Sequence, residues 1–190
     1  MTEITDIDAI IAPGKFPGFW GWHDDHREQD GKPGYAPALM QVRAEFAELL
    51  DVINAMPNRR CGLQLGLGNC RASHVVWSAI FLQAVTVDRG ISLMDDIAAP
   101  GMDTHDEAAL RWAKQFAPYD FLFIDAGHDY ADVDRDMHDY GLLVRPGGII
   151  AFHDTLPRSA YPEVEVWRYI ETLKDVTTIG TEVGISWLKV

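Results

Sequence analysis

"YDFLFIDAGHDY" occupies residues 119–130 and "GGIIAFHDT" residues 147–155. Each holds a short apolar run, Phe121–Ile124 and Ile149–Phe152. Each run breaks off in ionisable groups, Asp125 in the first and His153-Asp154 in the second. Four consecutive apolar residues leave no polar face, so both runs predict strands covered on both sides, as in a parallel sheet. Between them Tyr130, Val133, Met137 and Tyr140 recur at helical spacing, and Pro146-Gly147-Gly148 turns the chain into the second strand. Asp125 stands 28 residues before His153 and 29 before Asp154, room for one crossover helix and a return strand. Parallel neighbours joined in this way bring both charged tips to one edge of the sheet.

The same alternation extends in both directions. A helix is predicted over Pro37–Ala55 from Leu39, Val42, Phe46, Leu49, Leu50 and Ile53, closed by Pro57. Strands follow at Leu63–Leu67 and Ala84–Val87, with a helix over Ser73–Leu82 between them. The stretch 89–101 has room for a short third strand. Glu107–Phe116 and Val164–Leu173 read as helices, and Val176–Ile179 and Gly184–Lys189 as the last strands. The expectation is an α/β protein, a Rossmann-like doubly wound fold with a mostly parallel seven-stranded sheet and helices on both faces. It occupies residues 37–190. Residues 1–36 are irregular and punctuated by Pro and Gly. They still carry Phe16, Phe19, Trp20, Trp22 and Tyr35, which suit a lid, a wall of the acceptor pocket or a contact within a homo-oligomer.

Bulk properties narrow the function. A net charge of −13 speaks against nucleic acid as partner, because phosphate binding wants a basic patch. No apolar run approaches the ~20 residues of a membrane span, and the acidic start is no secretory signal. Two cysteines suit a reducing, cytoplasmic setting and are too few for a disulfide framework. The expected partner is a small molecule.

"GLQLGLGNC" (62–70) puts Gly66 and Gly68 at the end of the first predicted strand, where glycine permits a tight turn and close approach of a ligand. Asp88 follows Gly68 by 20 residues at the tip of the next strand, placed to take the hydroxyls of a ribose. Arg71 stands at the third glycine of a dinucleotide fingerprint and no lysine-serine pair follows, so a nucleoside cofactor without phosphates fits best. S-adenosylmethionine is that kind of cofactor. A plain strand-to-helix turn with a surface Asp is the alternative.

Several motifs in order now bear on the family. Gln64–Gly68, Val87-Asp88, Met102–Asp106, Tyr119–Tyr130 and Gly147–Thr155 resemble the signature of a small group of class I S-adenosylmethionine-dependent methyltransferases, related to catechol-type and macrolide-sugar O-methyltransferases. The resemblance spans about Cys61 to Leu156. It implies that Gly66 and Gly68 line the methionine part of the cofactor, that Asp88 holds the ribose, and that Asp103 or Thr104 lies near the adenine. Gln64, Leu67, Asn69, Arg89 and Asp125 complete the implied cofactor set. Gln64 stands where the group has an acid, Cys70 where it has its third glycine, and Met102 where glycine is usual.

The tips suggest chemistry of their own. Asp125, His153 and Asp154 resemble a facial ligand set for a divalent ion. The related enzymes hold a metal there that chelates two substrate oxygens; His153 in place of an acid tilts the choice from magnesium toward manganese or iron, or toward no metal. A strand-end cap is the plainer reading of His153-Asp154. His128, three residues after Asp125, suits a general base that takes a hydroxyl proton as the methyl group arrives, with a helix cap as the alternative. His138, Asp132, Asp134, Asp136 and Asp139 are expected to face solvent, and His23-Asp24-Asp25-His26 to serve the surface or a subunit contact. The expected reaction is methyl transfer to an oxygen of a phenolic natural product or a sugar. Its rivals are a non-catalytic relative that binds the cofactor or a partner and, with less support, a nicotinamide-dependent oxidoreductase.

Overall fold

The computed structural model describes residues 39–67, 72–89, 98–99 and 101–190. The expectations for residues 1–36, for Gly68 and Asn69, and for Cys70 and Arg71 lie outside these. Helix α1 (Arg43–Asn54) leads into β1 (Cys61–Leu65), α2 (Ala72–Ile80), β2 (Gln83–Val87) and the short β3 (Ala98–Ala99). Then come α3 (Glu107–Ala113), β4 (Tyr119–Ile124), α4 (Tyr130–Tyr140), β5 (Val144–His153), α5 (Val166–Ile170), β6 (Thr177–Ile179) and β7 (Ile185–Lys189). The strands form one seven-stranded sheet in the order β3-β2-β1-β4-β5-β7-β6. All neighbours from β3 to β5 are parallel, whereas β7 runs antiparallel to both β5 and β6.

Period-two alternation sorts the central strands into two cores. Phe121, Phe123, Ile149 and Ala151 face α1 and α2, while Leu122, Ile124, Ile150 and Phe152 face α3, α4 and α5. Trp77 anchors the first core, its ring centroid 5.1 Å from Phe121 and 5.3 Å from both Phe46 and Phe123. These apolar contacts supply most of the docking of α1 and α2, each buried side chain contributing about 1.5–3 kcal/mol.

Register decides where the tips fall. Leu65 pairs with both Val87 and Ile124, and Ile124 pairs with Phe152. The next residues along, Gly66, Asp88, Asp125 and His153, therefore stand side by side at the carboxyl edge. Strand order reverses between β1 and β4, the point where sheets of this kind open a crevice.

Boundaries differ from expectation where glycine geometry or turn type intervenes. β1 ends two residues early because Gly66 adopts φ +84°. β5 starts at Val144 instead of Ile149. Gly147, at φ +79°, lets the strand run on through Pro146-Gly147-Gly148 while the pairing with β4 shifts register between Tyr119 and Phe121. α1 begins at Arg43 because Val42 is still extended (φ −67°, ψ 125°). α5 keeps only five residues, since Val164, Thr172 and Leu173 each donate to a carbonyl three residues back and tighten the flanks into turns. The last turn of the third predicted helix is likewise a 3-10 turn, Lys114–Phe116.

Candidate active site

Gly66 is wedged between neighbouring strand ends. Its amide donates to the Val87 carbonyl at 2.8 Å, and the Asp125 amide donates to the Leu65 carbonyl at 2.9 Å. A Cβ on Gly66 would lie 1.9 Å from the Asp125 carbonyl oxygen. The close approach that glycine permits here is thus to the protein's own backbone. Asp88, half-buried, accepts the Leu67 amide at 2.6 Å through Oδ2, and its carbonyl accepts the Met102 amide at 3.1 Å. Residues 66–67, 88 and 102–104 are so gathered on one side of the crevice. Gln64 is buried, and its Nε2 donates to the Gly66 carbonyl at 2.5 Å and to Ser73 Oγ at 2.7 Å. It braces the glycine turn against α2.

Beyond β2, Arg89 Nε pairs with Asp103 Oδ2 at 2.8 Å, and Asp103 Oδ1 accepts the His105 amide at 2.9 Å. Thr104 is buried, its carbonyl taking the Tyr140 hydroxyl at 2.7 Å. Asp136 corrects the sequence reading: it is 0% exposed, with its Oδ1 3.4 Å from His105 Nε2. Asp136 stands three residues after Val133 and four before Tyr140, on the stripe's own face, so helical spacing already turns it inward; its neighbours Thr104 and His105 arrive from a distant loop.

Burial pushes the Asp136 carboxyl up to about 6, against the lowering pull of the Thr104 side chain and His105. An acid whose folded pKa is raised binds its proton more tightly when folded. Stability therefore falls as pH climbs from 3.8 to about 6. Asp136→Asn is expected to abolish that fall and to raise the unfolding free energy at pH 7, read by urea titrations across the range; an unchanged pH slope contradicts it.

On the other side of the crevice the two charged tips meet. Asp154, buried and at φ +60°, accepts from His128 Nε2 at 3.0 Å and His153 Nδ1 at 3.2 Å through Oδ2; its Oδ1 pairs with Arg158. His153 Nδ1 also lies 3.2 Å from Asp125 Oδ1. Gln41 Nε2 donates to Asp125 Oδ2 at 3.0 Å. Burial alone would raise the Asp154 carboxyl, but its bonds from His128 and His153 outweigh that and hold it below the usual carboxylate range. Burial likewise works against a charged His153, yet Asp125 and then Asp154 push it up to about 10. His128 is raised chiefly by its bond to Asp154, and its ring stays 44% exposed on the crevice side.

One ligand atom each from Asp125, His128 and Asp154 lies within 4.8 Å of the others, a spacing that could hold a metal ion. The trio differs from the expected one. His128 replaces His153, whose Nδ1 is engaged by both carboxylates. Gln41 and Arg158 received no role from the sequence. Gln41 carries a weak signal, being polar beside the apolar stripe of α1, and Arg158 sits four residues after Asp154. A cleft of about 990 Å³ at the opposite, amino edge includes Arg60, Asp120 and Arg145. There Asp120 and Arg145 pair with each other, and Asp120 also takes the Arg60 and Cys61 amides, which is structural duty.

Residues 98–155 match a family model described as a methyltransferase domain. A comparison with curated proteins finds no match. Among solved structures the chain is similar to MycE methyltransferase of the mycinamycin biosynthetic pathway, in complex with Mg, S-adenosylhomocysteine and mycinamycin VI. The TM-score is 0.55 at 15% identity, over 99% of this chain and 54% of MycE. This chain thus spans about half of MycE's length. It is also similar to the O-methyltransferase TomG from Streptomyces achromogenes, involved in tomaymycin synthesis and solved with S-adenosylmethionine. There the TM-score is 0.54 at 20% identity, over 85% of this chain and 84% of TomG. No helix among the described residues is long and apolar enough to cross a membrane. Taken with the strand order, these likenesses show that the chain shares its fold with solved methyltransferases, and the methyltransferase-domain model covers residues 98–155 of it.

Proposed function

We propose that the protein transfers a methyl group from S-adenosylmethionine to an oxygen of a small molecule. The observation that carries this reading is the register of β1, β2, β4 and β5. It gathers Gly66, Asp88, Asp125 and Asp154 at one crevice, with His128 reaching across to Asp154. The side formed by Gln64, Gly66, Leu67, Asp88, Arg89, Asp103 and Thr104 takes the nucleoside cofactor, and Gly68 and Asn69 are assigned to it from the sequence alone. The side formed by Asp125, His128 and Asp154 takes the acceptor. Bound S-adenosylmethionine supplies an electrophilic methyl group and leaves as S-adenosylhomocysteine.

The chain's own work is placement and one proton. His128 Nε2–H is turned to Asp154, so the other ring nitrogen, Nδ1, takes the acceptor's hydroxyl proton as the oxygen bonds to the methyl carbon. The Asp154 carboxylate then stabilises the imidazolium. Holding both reactants in line accounts for most of the acceleration, as expected of a transfer that needs no covalent enzyme intermediate. A second reading is favoured by the mutual approach of the Asp125, His128 and Asp154 ligand atoms within 4.8 Å. Those three would hold a divalent ion, magnesium, manganese or iron, which lowers an acceptor hydroxyl's pKa and orients it. His153, Gln41 and Arg158 would then orient the two carboxylates from behind, as outer partners of metal ligands do.

Calorimetric titration with S-adenosylmethionine, S-adenosylhomocysteine and NAD tests the cofactor. Transfer of a labelled methyl group to a panel of phenols and sugars tests the reaction. Heat with the first two alone is the expected result. Silence from both would overturn the proposal, and heat from NAD alone would favour an oxidoreductase. Cofactor binding with no labelled product from any acceptor would favour a non-catalytic relative.

A further inference from the structure

We propose that Gln41 and Glu45, at the entry to α1, are positioning residues that together set the arrangement of Asp125 and Asp154. The inference rests on the cation-binding reading of the Asp125–His128–Asp154 site.

Gln41 acts directly. It is 3% exposed and ties Asp125 Oδ2 at 3.0 Å, which leaves Oδ1 as the oxygen toward His153 (3.2 Å) and His128 (4.0 Å). Its own Oε1 is buried and has no hydrogen-bond partner. An amide retained for stability alone would satisfy both ends or give way to an apolar side chain, since a buried unpaired acceptor costs free energy. α1 does not need it for docking, because Phe46, Leu49, Leu50 and Ile53 already bury that helix.

Glu45 acts at one remove. It is 2% exposed, and its carboxylate fills a nest of four consecutive amides. Thr181, Glu182 and Val183 donate to Oε1 at 2.9, 2.8 and 3.2 Å, and Gly184 donates to Oε2 at 2.9 Å. Turn residues with successive amides pointing inward form an anion-binding concavity, and here the chain supplies its own anion. The fit leaves no spare room: a Cβ on Gly180 (φ +94°) would stand 2.3 Å from the Glu45 carboxylate. The turn so fixed then holds the chain beyond Asp154. Gly184 and Val183 carbonyls accept the amides of Thr155 and Leu156 at 3.2 and 2.9 Å. Those contacts stand next to an aspartate at φ +60°, a conformation that persists for a non-glycine residue only when its surroundings impose it. One short segment thus governs both carboxylates, Asp125 through a side chain and Asp154 through a braced turn.

The test uses the full chain and Mn²⁺ alone as probe, titrated by electron paramagnetic resonance, with S-adenosylhomocysteine calorimetry in parallel. Gln41→Leu and Glu45→Gln are each expected to weaken Mn²⁺ binding about 10- to 100-fold, the range for outer partners of metal ligands. S-adenosylhomocysteine affinity should not change, because neither residue touches the Gly66–Asp88 side. If Glu45→Gln does not fold, Gln41→Leu decides alone. Unchanged Mn²⁺ affinity, or parallel loss of both affinities as general loosening would give, overturns the inference. A wild-type chain that binds no Mn²⁺ overturns the cation reading first, and the positioning inference with it.

Discussion

His128→Ala is expected to lower kcat for methyl transfer by about 10²–10⁴-fold, the range for removal of a general base. The loss should fall on kcat and leave the dissociation constant of S-adenosylmethionine untouched. His128 Nε2 faces Asp154 at 3.0 Å, on the acceptor side of the crevice. Adding free imidazole should restore part of the rate if the ring's task is to accept a proton. The same variant separates the two readings of the site. If His128 is a base alone, Mn²⁺ affinity is unchanged in the variant; if it ligates an ion, that affinity falls with the rate and imidazole does less. A variant as fast as the wild type would sink both, because each assigns the exposed ring to the reacting atoms.

Gly66→Ala should be the most damaging single methyl group that can be added at the crevice. Two costs combine. At φ +84° an L-residue costs roughly 1–2 kcal/mol. Its Cβ would also meet the Asp125 carbonyl oxygen at 1.9 Å and the carbonyl carbon at 2.6 Å. These are backbone atoms of the central strand's tip, so the clash is relieved only by moving the residue that lies at the site. Overpacking of that kind adds roughly 1–3 kcal/mol, so a total loss of roughly 2–5 kcal/mol is expected in urea unfolding, with the cofactor and cation sites disturbed together. Gly101→Ala is the control. It shares a positive φ, +60°, but has nothing within 4 Å of the added carbon, so only the backbone cost of about 1–2 kcal/mol should appear. Equal effects of the two substitutions would show that conformation, not the approach of β1 to β4, sets the requirement at residue 66.

The two predictions draw on different kinds of information. That Phe121–Ile124 and Ile149–Phe152 are buried parallel strands with ionisable tips follows from local pattern, because a strand apolar on both faces can be satisfied only inside a covered sheet. The spacing of Asp125 and Asp154 around one crossover then brings their tips to a common edge by chain geometry alone. His128 was legible for the same reason, since three residues past a strand end is still at the crevice. Ligand choice was not. Whether His128 or His153 joins the two carboxylates depends on side-chain directions at the ends of two different strands. There His153 Nδ1 lies 3.2 Å from both Asp125 and Asp154.

The alternation of elements, the two-sided burial of β4 and β5, and the edge at which the ionisable tips gather could thus be read from the chain before any fold was known. Each of these depends on periodicities of two or 3.6 and on crossover handedness, which act over short stretches of chain. The long-range fold alone set the meeting of Asp136 with His105, the clamp of Glu45 on residues 181–184 and the bond from Gln41 to Asp125. In each case the partner lies between 31 and 139 residues away, and a polar side chain's partner at that range has no local periodicity to announce it. Burying such groups costs free energy that only the assembled neighbour repays, so their roles exist in the fold and nowhere earlier.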